Sequence, residues 1–439
     1  MNYQEAMDYI EQLNTKGIAL GLERITTLLD LLGNPQDELN IIHVAGTNGK
    51  GSVCAFMDSA LQQAGLRVGR YISPTLYSYL ERFQINGSEM DAQIFARILT
   101  VVRDACVEMS VQGLELPTVF EVETAVAFLY FQSAKCDYVL LEVGMGGRLD
   151  STNVIMRPIL SVVTSISMDH TGILGNTLGE IAAEKAGIIK ESCPVVLAWQ
   201  KPEAMNVLLA KCRDCHTVPV IADTLYLYDT QWGLSGQSFC YKTWRDLSIR
   251  LLGEYQLTNA ITALEALWVL QEHDSRLTDD TIRQGLEQAS WPGRFEIIGE
   301  KPLFIVDGAH NPAGAQALAD TIQRLHSSKA VNDTGSVWLL MGVFRDKAYE
   351  EIGRIMSQCG NQLITFQPPG ERGLESEVLA EAMKPYYTKI EMKQTAEDAV
   401  QYVMQHASAE DIIISFGSLS TIKAVQDAVK AWEGERNGK

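Results

Sequence analysis

Residues 41–65, IIHVAGTNGKGSVCAFMDSALQQAG, limit the fold more than any other part of the chain. An apolar run ends at Ala45, and seven residues that are glycine or polar follow it. Apolar residues then recur at 53, 56, 57, 60, 61 and 64, the i, i+3, i+4, i+7 spacing of one helix face, with Gly65 as the stop. This reads as a strand, a loop and a helix. The loop nearly fits the phosphate-binding pattern G-x-x-x-x-G-K-[S/T], but Val44 stands where the first glycine belongs, and Gly51 separates Lys50 from Ser52. Gly46 and Gly49 can adopt positive φ and let backbone N–H groups converge on an anion. Lys50 adds a cation and the helix N-terminus a dipole. The competing reading is a plain glycine turn with an exposed lysine, yet Gly46, Thr47, Asn48, Gly49, Lys50, Gly51 and Ser52 offer a core little to bury.

The same rhythm repeats. YVLLEVG (138–144), ILSVVTSI (159–166) and PVVLAW (194–199) read as buried strands, with helical patterns at about 119–133, 178–187 and 202–212. This predicts an α/β fold: a phosphate-loop domain with a mostly parallel sheet. From about 217 to 252 the texture shifts to short alternating segments, read as small antiparallel strands decorating that domain, and helical patterns follow at about 255–272 and 278–289. Trp291, Pro292 and Gly293 break the pattern. The boundary falls there, giving domains 1–293 and 294–439. LFIVDGAH (303–310), SVWLLMGVF (336–344), QLITFQ (362–367) and DIIISFGS (411–418) restart the βα rhythm as a smaller Rossmann-like domain. A two-substrate enzyme of this build is expected to place its chemistry between the domains.

Charge narrows the partners. With 55 acidic and 36 basic side chains the formal charge is −19, which would repel a phosphodiester backbone or an anionic membrane. Nucleic acid and membrane are therefore not expected as partners. The first residues lack a basic secretory leader, apolar runs are too short to span a bilayer, and the eight cysteines are scattered, so a cytoplasmic protein with free thiols is expected. Cys212 and Cys215 form the one close pair, without partners at zinc spacing, and read as structural residues near a helix end.

Several polar residues stand where strands end. Glu142 closes YVLLEVG, where it is either a buried ion-pair partner or a Mg²⁺ ligand. Arg148, Asp150 and Asn153 follow in a polar loop on the same sheet edge. His170 lies just past ILSVVTSIS and could join Glu142 around Mg²⁺ or Mn²⁺. In IAAEKAGIIK, Lys185 reads on position alone as a surface lysine beside Glu184, although a lysine buried enough to lose its proton could react with CO₂ to form a carbamate. In the second domain FIVDGAHNPAG displays Asp307, His310 and Asn311 at a strand end, with Pro312 opening a helix. Arg294 reads as a residue reaching across the domains or as an ordinary interdomain salt bridge.

GTNGKGS (46–52), LEVGMGGRLDSTN, SMDHTGILGNTLGEIAAEKAGIIK, WPGRFE and DGAHNP occur here in the order and spacing of the folylpolyglutamate synthase/dihydrofolate synthase branch of the Mur ligases, which the chain closely resembles along most of its length. Segments 71–87 and 117–131 match two further family stretches. The resemblance implies an ATP-dependent ligase that joins L-glutamate to dihydropteroate or a reduced folate through an acyl phosphate. It also implies ATP as co-substrate, one or two Mg²⁺ ions (or Mn²⁺), and a monomer.

By the same resemblance Lys50 and the loop amides hold phosphates, and Ser52, Ser73, Glu142 and His170 are metal ligands. Lys185 matches the family's carbamylated lysine, while Asn259, Arg294, Asp307 and His310 look like nucleotide and second-domain contacts. One departure is Ser73-Pro74-Thr75-Leu76, where the family commonly has histidine in place of Thr75. Two alternatives remain at this level: an amino-acid ligase acting on a cell-wall precursor, and a non-catalytic nucleotide-binding protein with the same fold.

Overall fold

The computed structural model describes residues 1–13, 17, 19–327 and 335–437. The chain divides into two compact units, Met1–Tyr226 with Thr258–Ala289, and Leu227–Leu257 with Ser290–Lys439.

The first unit is built on an eight-stranded sheet. Its strands are β1 (Ile41–Ala45), β2 (Val68–Tyr71), β3 (Phe83–Ile85), β4 (Ser88–Glu89), β5 (Tyr138–Glu142), β6 (Leu160–Val163), β7 (Val195–Ala198) and β8 (Val220–Ala222), in the order β4-β3-β2-β5-β1-β6-β7-β8. From β2 through β8 every pairing is parallel, whereas β3 and β4 form an antiparallel hairpin on one edge. β1 is central and buried along its whole length, so the loop that leaves its carboxyl end starts from the middle of the sheet.

Apolar layers cover the sheet. One contains Phe95, Phe128, Phe131 and Leu141; another contains Val163, Ile181, Leu197 and Leu208. The helix Val119–Ser133, matching the expected span, is buried on nearly all sides. It starts at a reciprocal cap in which Thr118 Oγ1 and the Glu121 amide pair while Glu121 accepts from the Thr118 amide at 2.7 Å. Arg24 Nε donates to the same Glu121 carboxylate at 3.0 Å, so this buried charge is paired.

The helix Asp279–Gln288 crosses Lys50–Gln63 so closely that a Cβ on Gly285 would lie 2.2 Å from the Ala60 Cα. Gly285→Val is therefore expected to force these helices apart and destabilise the fold by about 3 kcal/mol, measured as a lower urea midpoint. Activity per folded molecule should change far less.

The strands β9 (Leu227–Gly233), β10 (Gly236–Tyr241) and β11 (Trp244–Ile249) make an antiparallel sheet, as their alternation predicts. The expectation that they decorate the first domain is corrected: the segment groups with the second unit, where Trp232 and Leu234 pack on its core. That unit's larger sheet has the order β12-β13-β17-β14-β15-β16, from β12 (Glu296–Glu300), β13 (Leu303–Val306), β14 (Val337–Met341), β15 (Gln362–Thr365), β16 (Lys389–Met392) and β17 (Ile412–Phe416). All its pairings are parallel except the β12–β13 edge. The four strands expected in this region are its four middle members. The Cys pair also lies as read, with the Pro202–Asp214 helix ending against Cys215 and both thiols buried and free.

Candidate active site

In the first unit the glycine loop caps the helix Lys50–Gln63, with Gly49 as the residue before it at φ 89°. The loop is held by the end of β6. Ser165 O accepts from the Thr47 amide at 2.8 Å, and Thr164 Oγ1 donates to Asn48 O at 2.7 Å. Thr47 Oγ1 donates to Ser167 O and accepts from the Ser167 amide, both at 3.1 Å. Thr164, Ser165 and Ser167 carry no role in the sequence reading, although the polar TSIS ending of an otherwise apolar strand is the trace they leave there.

Lys50 turns back over the loop. Its Nζ lies 3.3 Å from Gly46 O and 3.8 Å from a carboxylate oxygen of Glu142, which is 5% exposed at the end of β5. Both sequence readings of Glu142 thus start from one geometry, a buried carboxylate paired with a lysine at the mouth of a glycine loop. Ser52 is buried in the first turn of the helix.

Lys185 differs from its positional reading as a surface lysine. It is 4% exposed, and its Nζ donates to Gly46 O at 2.8 Å. Burial first, and then repulsion from Lys50, push its pKa from 10.5 down to about 7. Glu184, next to it, faces outward and is held by Arg148 at 2.8 Å. Asp150 organises the loop that follows β5: it accepts from the Met145 amide at 2.8 Å and the Thr152 amide at 3.0 Å, and burial raises its pKa. Asn153 Nδ2 donates to Arg148 O at 3.0 Å, which ties the loop to itself.

Asn259 is buried against the loop, so close that a Cβ on Gly49 would be 2.3 Å from its Oδ1. His170 is half-exposed with φ 50°, and its amide donates to Asp169 Oδ1 at 2.9 Å. Ser73 precedes a cis peptide to Pro74, in a loop pinned by Glu81, which accepts from the Leu76 and Tyr77 amides at 2.8 Å each. Among the described residues no three His, Cys, Asp or Glu side chains gather into a metal-holding group. A cation here would draw on one carboxylate, hydroxyls, water and phosphate oxygens, the donor chemistry of Mg²⁺.

In the second unit Asp307 is buried at the end of β13 and accepts from the Phe295 and Ala309 amides at 2.7 Å each. His310 Nδ1 lies 2.7 Å from Gly308 O. Within this unit Arg294 Nη1 is 3.3 Å from Gly293 O and would be 2.0 Å from a Cβ on Gly308. The sequence reading sets Asp307 and His310 in one segment and Arg294 in the linker before it; in the fold the linker meets that segment through the Phe295 amide, which donates to Asp307.

The Mur ligase middle domain matches residues 44–267, and the Mur ligase glutamate ligase domain matches residues 293–419. The protein is thus a Mur-type ligase, an ATP-dependent enzyme that joins a carboxylate to an amine. Dihydrofolate synthase/folylpolyglutamate synthase of Bacillus subtilis is 33% identical over 98% of this chain and 99% of its own length. Folylpolyglutamate synthase of Mycobacterium tuberculosis, complexed with ADP and AMPPCP, superposes with a TM-score of 0.86 at 30% identity, covering 98% of this chain and 99% of that one. Escherichia coli FolC in complex with DHPP and ADP gives 0.85 at 30% identity, covering 99% of each chain. The chain belongs to the folylpolyglutamate synthase/dihydrofolate synthase family.

Proposed function

We propose that the protein adds L-glutamate to dihydropteroate, to reduced folates, or to both, through an acyl phosphate formed with ATP. One observation carries the reading: a buried lysine of depressed pKa touches the phosphate loop at Gly46 O, 2.8 Å away, while a second lysine lies over the same loop. Transfer of a phosphoryl group onto a carboxylate brings two anions together, so cations and oriented amides are what the step requires.

Lys50 and the amides of Gly46 to Ser52 bind the β- and γ-phosphates at the helix N-terminus. The residues suited to Mg²⁺ are Glu142 with Ser52, Ser73 and His170, and the ion would supply neutralisation of phosphate charge there. Lys185 in its neutral form attacks CO₂, forming an N–C bond and releasing a proton, and the resulting carbamate is an anion held beside Lys50. Asn259, Arg294, Asp307 and His310 serve the nucleotide and the incoming glutamate. The glutamate amine, in its neutral form, then attacks the acyl phosphate carbon, phosphate leaves with the C–O bond electrons, and the nitrogen releases one proton to give the amide. Exclusion of water protects the mixed anhydride until the amine arrives.

The test is a substrate panel with purified protein, ATP and Mg²⁺. ADP and phosphate release are expected only when L-glutamate is present together with dihydropteroate or a tetrahydrofolate, with a glutamylated product by mass spectrometry. Absence of product with all pterin substrates would overturn the reading. Turnover on a nucleotide-linked peptide would point to the cell-wall alternative.

A further inference from the structure

We propose that Tyr255 is a positioning residue: acting through Asp307, it fixes the backbone at Phe295 and so the direction of the Arg294 guanidinium. The inference rests on the reading of Arg294 as a nucleotide contact.

Tyr255 lies in the first turn of the helix Glu254–Gln271, and its hydroxyl donates to Asp307 Oδ2 at 3.1 Å. The same oxygen accepts from the Phe295 amide at 2.7 Å, while Asp307 Oδ1 accepts from the Ala309 amide at 2.7 Å. One carboxylate therefore joins the start of a helix, the segment entering β12 and the turn leaving β13. Phe295 needs such a hold. It is a non-glycine residue at φ 41°, a conformation that persists only where its surroundings enforce it. Its ring is 2% exposed and packs in the second unit's core, so the backbone is clamped from both sides.

The clamp sets where Arg294 points. Gly308 N donates to Gly293 O at 2.9 Å, and Arg294 Nη1 reaches that same carbonyl. The guanidinium thus lies across Gly308, where no other residue would leave it room. The carbonyl of the same residue, Gly308 O, lies 2.7 Å from His310 Nδ1. Rotation of the Phe295 peptide would swing Arg294 off this surface and disturb the carbonyl that orients His310. Asp307 supplies two anchors by itself, and the Tyr255 hydroxyl is the third, which fixes the carboxylate's rotation.

Tyr255→Phe removes only the hydroxyl and keeps the ring. It is expected to raise the KM for ATP about tenfold with kcat within about twofold, and to leave the melting temperature within about 2 °C. In an Asp307→Ala background the same change should add less than about twofold, because the path it acts through is gone. Arg294→Ala, assayed in parallel, separates the two layers. If Arg294→Ala raises the KM for ATP and Tyr255→Phe does not, the positioning role is overturned while the Arg294 reading stands. If Arg294→Ala leaves it unchanged, the Arg294 reading falls and the inference with it. An equal Tyr255→Phe effect with and without Asp307, or a fall in melting temperature with unchanged KM, also overturns the proposal. Should Asp307→Ala not fold, the KM and kcat of Tyr255→Phe alone decide.

Discussion

Lys185→Ala is expected to lower turnover by about a thousandfold or more without unfolding the protein. The side chain is 4% exposed and its one described hydrogen bond goes to Gly46 O. Its burial is an expense to the fold, as the drop in pKa to about 7 records. Alanine removes that expense together with the hydrogen bond, so the melting temperature should stay close to that of the parent. The loss falls on chemistry instead, since the phosphate loop loses the lysine proposed to become an anion beside Lys50. Formate or acetate at high concentration should restore part of the rate by occupying the vacated space. Retention of more than about a tenth of the parent's turnover would sink the role assigned to Lys185.

The same residue sets a pH dependence with a definite sign. In the folded chain Lys185 titrates near 7, and unfolded near 10.5. Below about pH 7 both states hold the proton, and the full cost of burying the charge weakens the fold. Between pH 7 and 10.5 the unfolded chain binds more protons than the native one, so this residue's contribution to stability improves as pH rises. In buffer depleted of CO₂, the stability of Lys185→Ala relative to the parent should therefore be greater at pH 6 than at pH 9, as measured by urea unfolding. The carbamate proposed for Lys185 forms from the neutral amine, so its formation should accelerate as pH passes through 7.

What was legible in the sequence was local. The strand–loop–helix of residues 41–63 reads from apolar spacing alone, because its strand is buried throughout and its helix begins where the glycine loop ends. Lys185 was not legible that way. Its neighbours in IAAEKAGIIK suit a surface helix, and only the fold sets it beside Gly46, 139 residues earlier. The β9–β11 sheet could be recognised as antiparallel but not assigned to a unit, since that depends on which distant core Trp232 and Leu234 meet. Short edge strands such as Lys389–Met392, which bury little, leave no periodic signal. The buttress of Thr164, Ser165 and Ser167 under the loop depends on the β1–β6 pairing, a contact made across more than a hundred residues.

Gly49→Ala should be the second severe loss, raising the KM for ATP by about a hundredfold. Two separate strains meet at this position. Gly49 has φ 89°, where an alanine costs about 1–3 kcal/mol, and the new Cβ would stand 2.3 Å from Asn259 Oδ1. Asn259 is 6% exposed, so it has little room to retreat. The loop must then give, either by lifting from Ser165 and Thr164 or by unwinding the first turn of the helix, where Val53 N donates to Gly49 O at 2.9 Å. Both routes turn the amides away from a common point. Gly65→Ala supplies the comparison, because Gly65 also has positive φ, 74°, but a Cβ there meets nothing within 4 Å. It should lose stability through backbone strain and keep its KM for ATP, whereas Gly49→Ala should lose both. Equal KM values for the two variants would mean that the loop amides do not hold the phosphates.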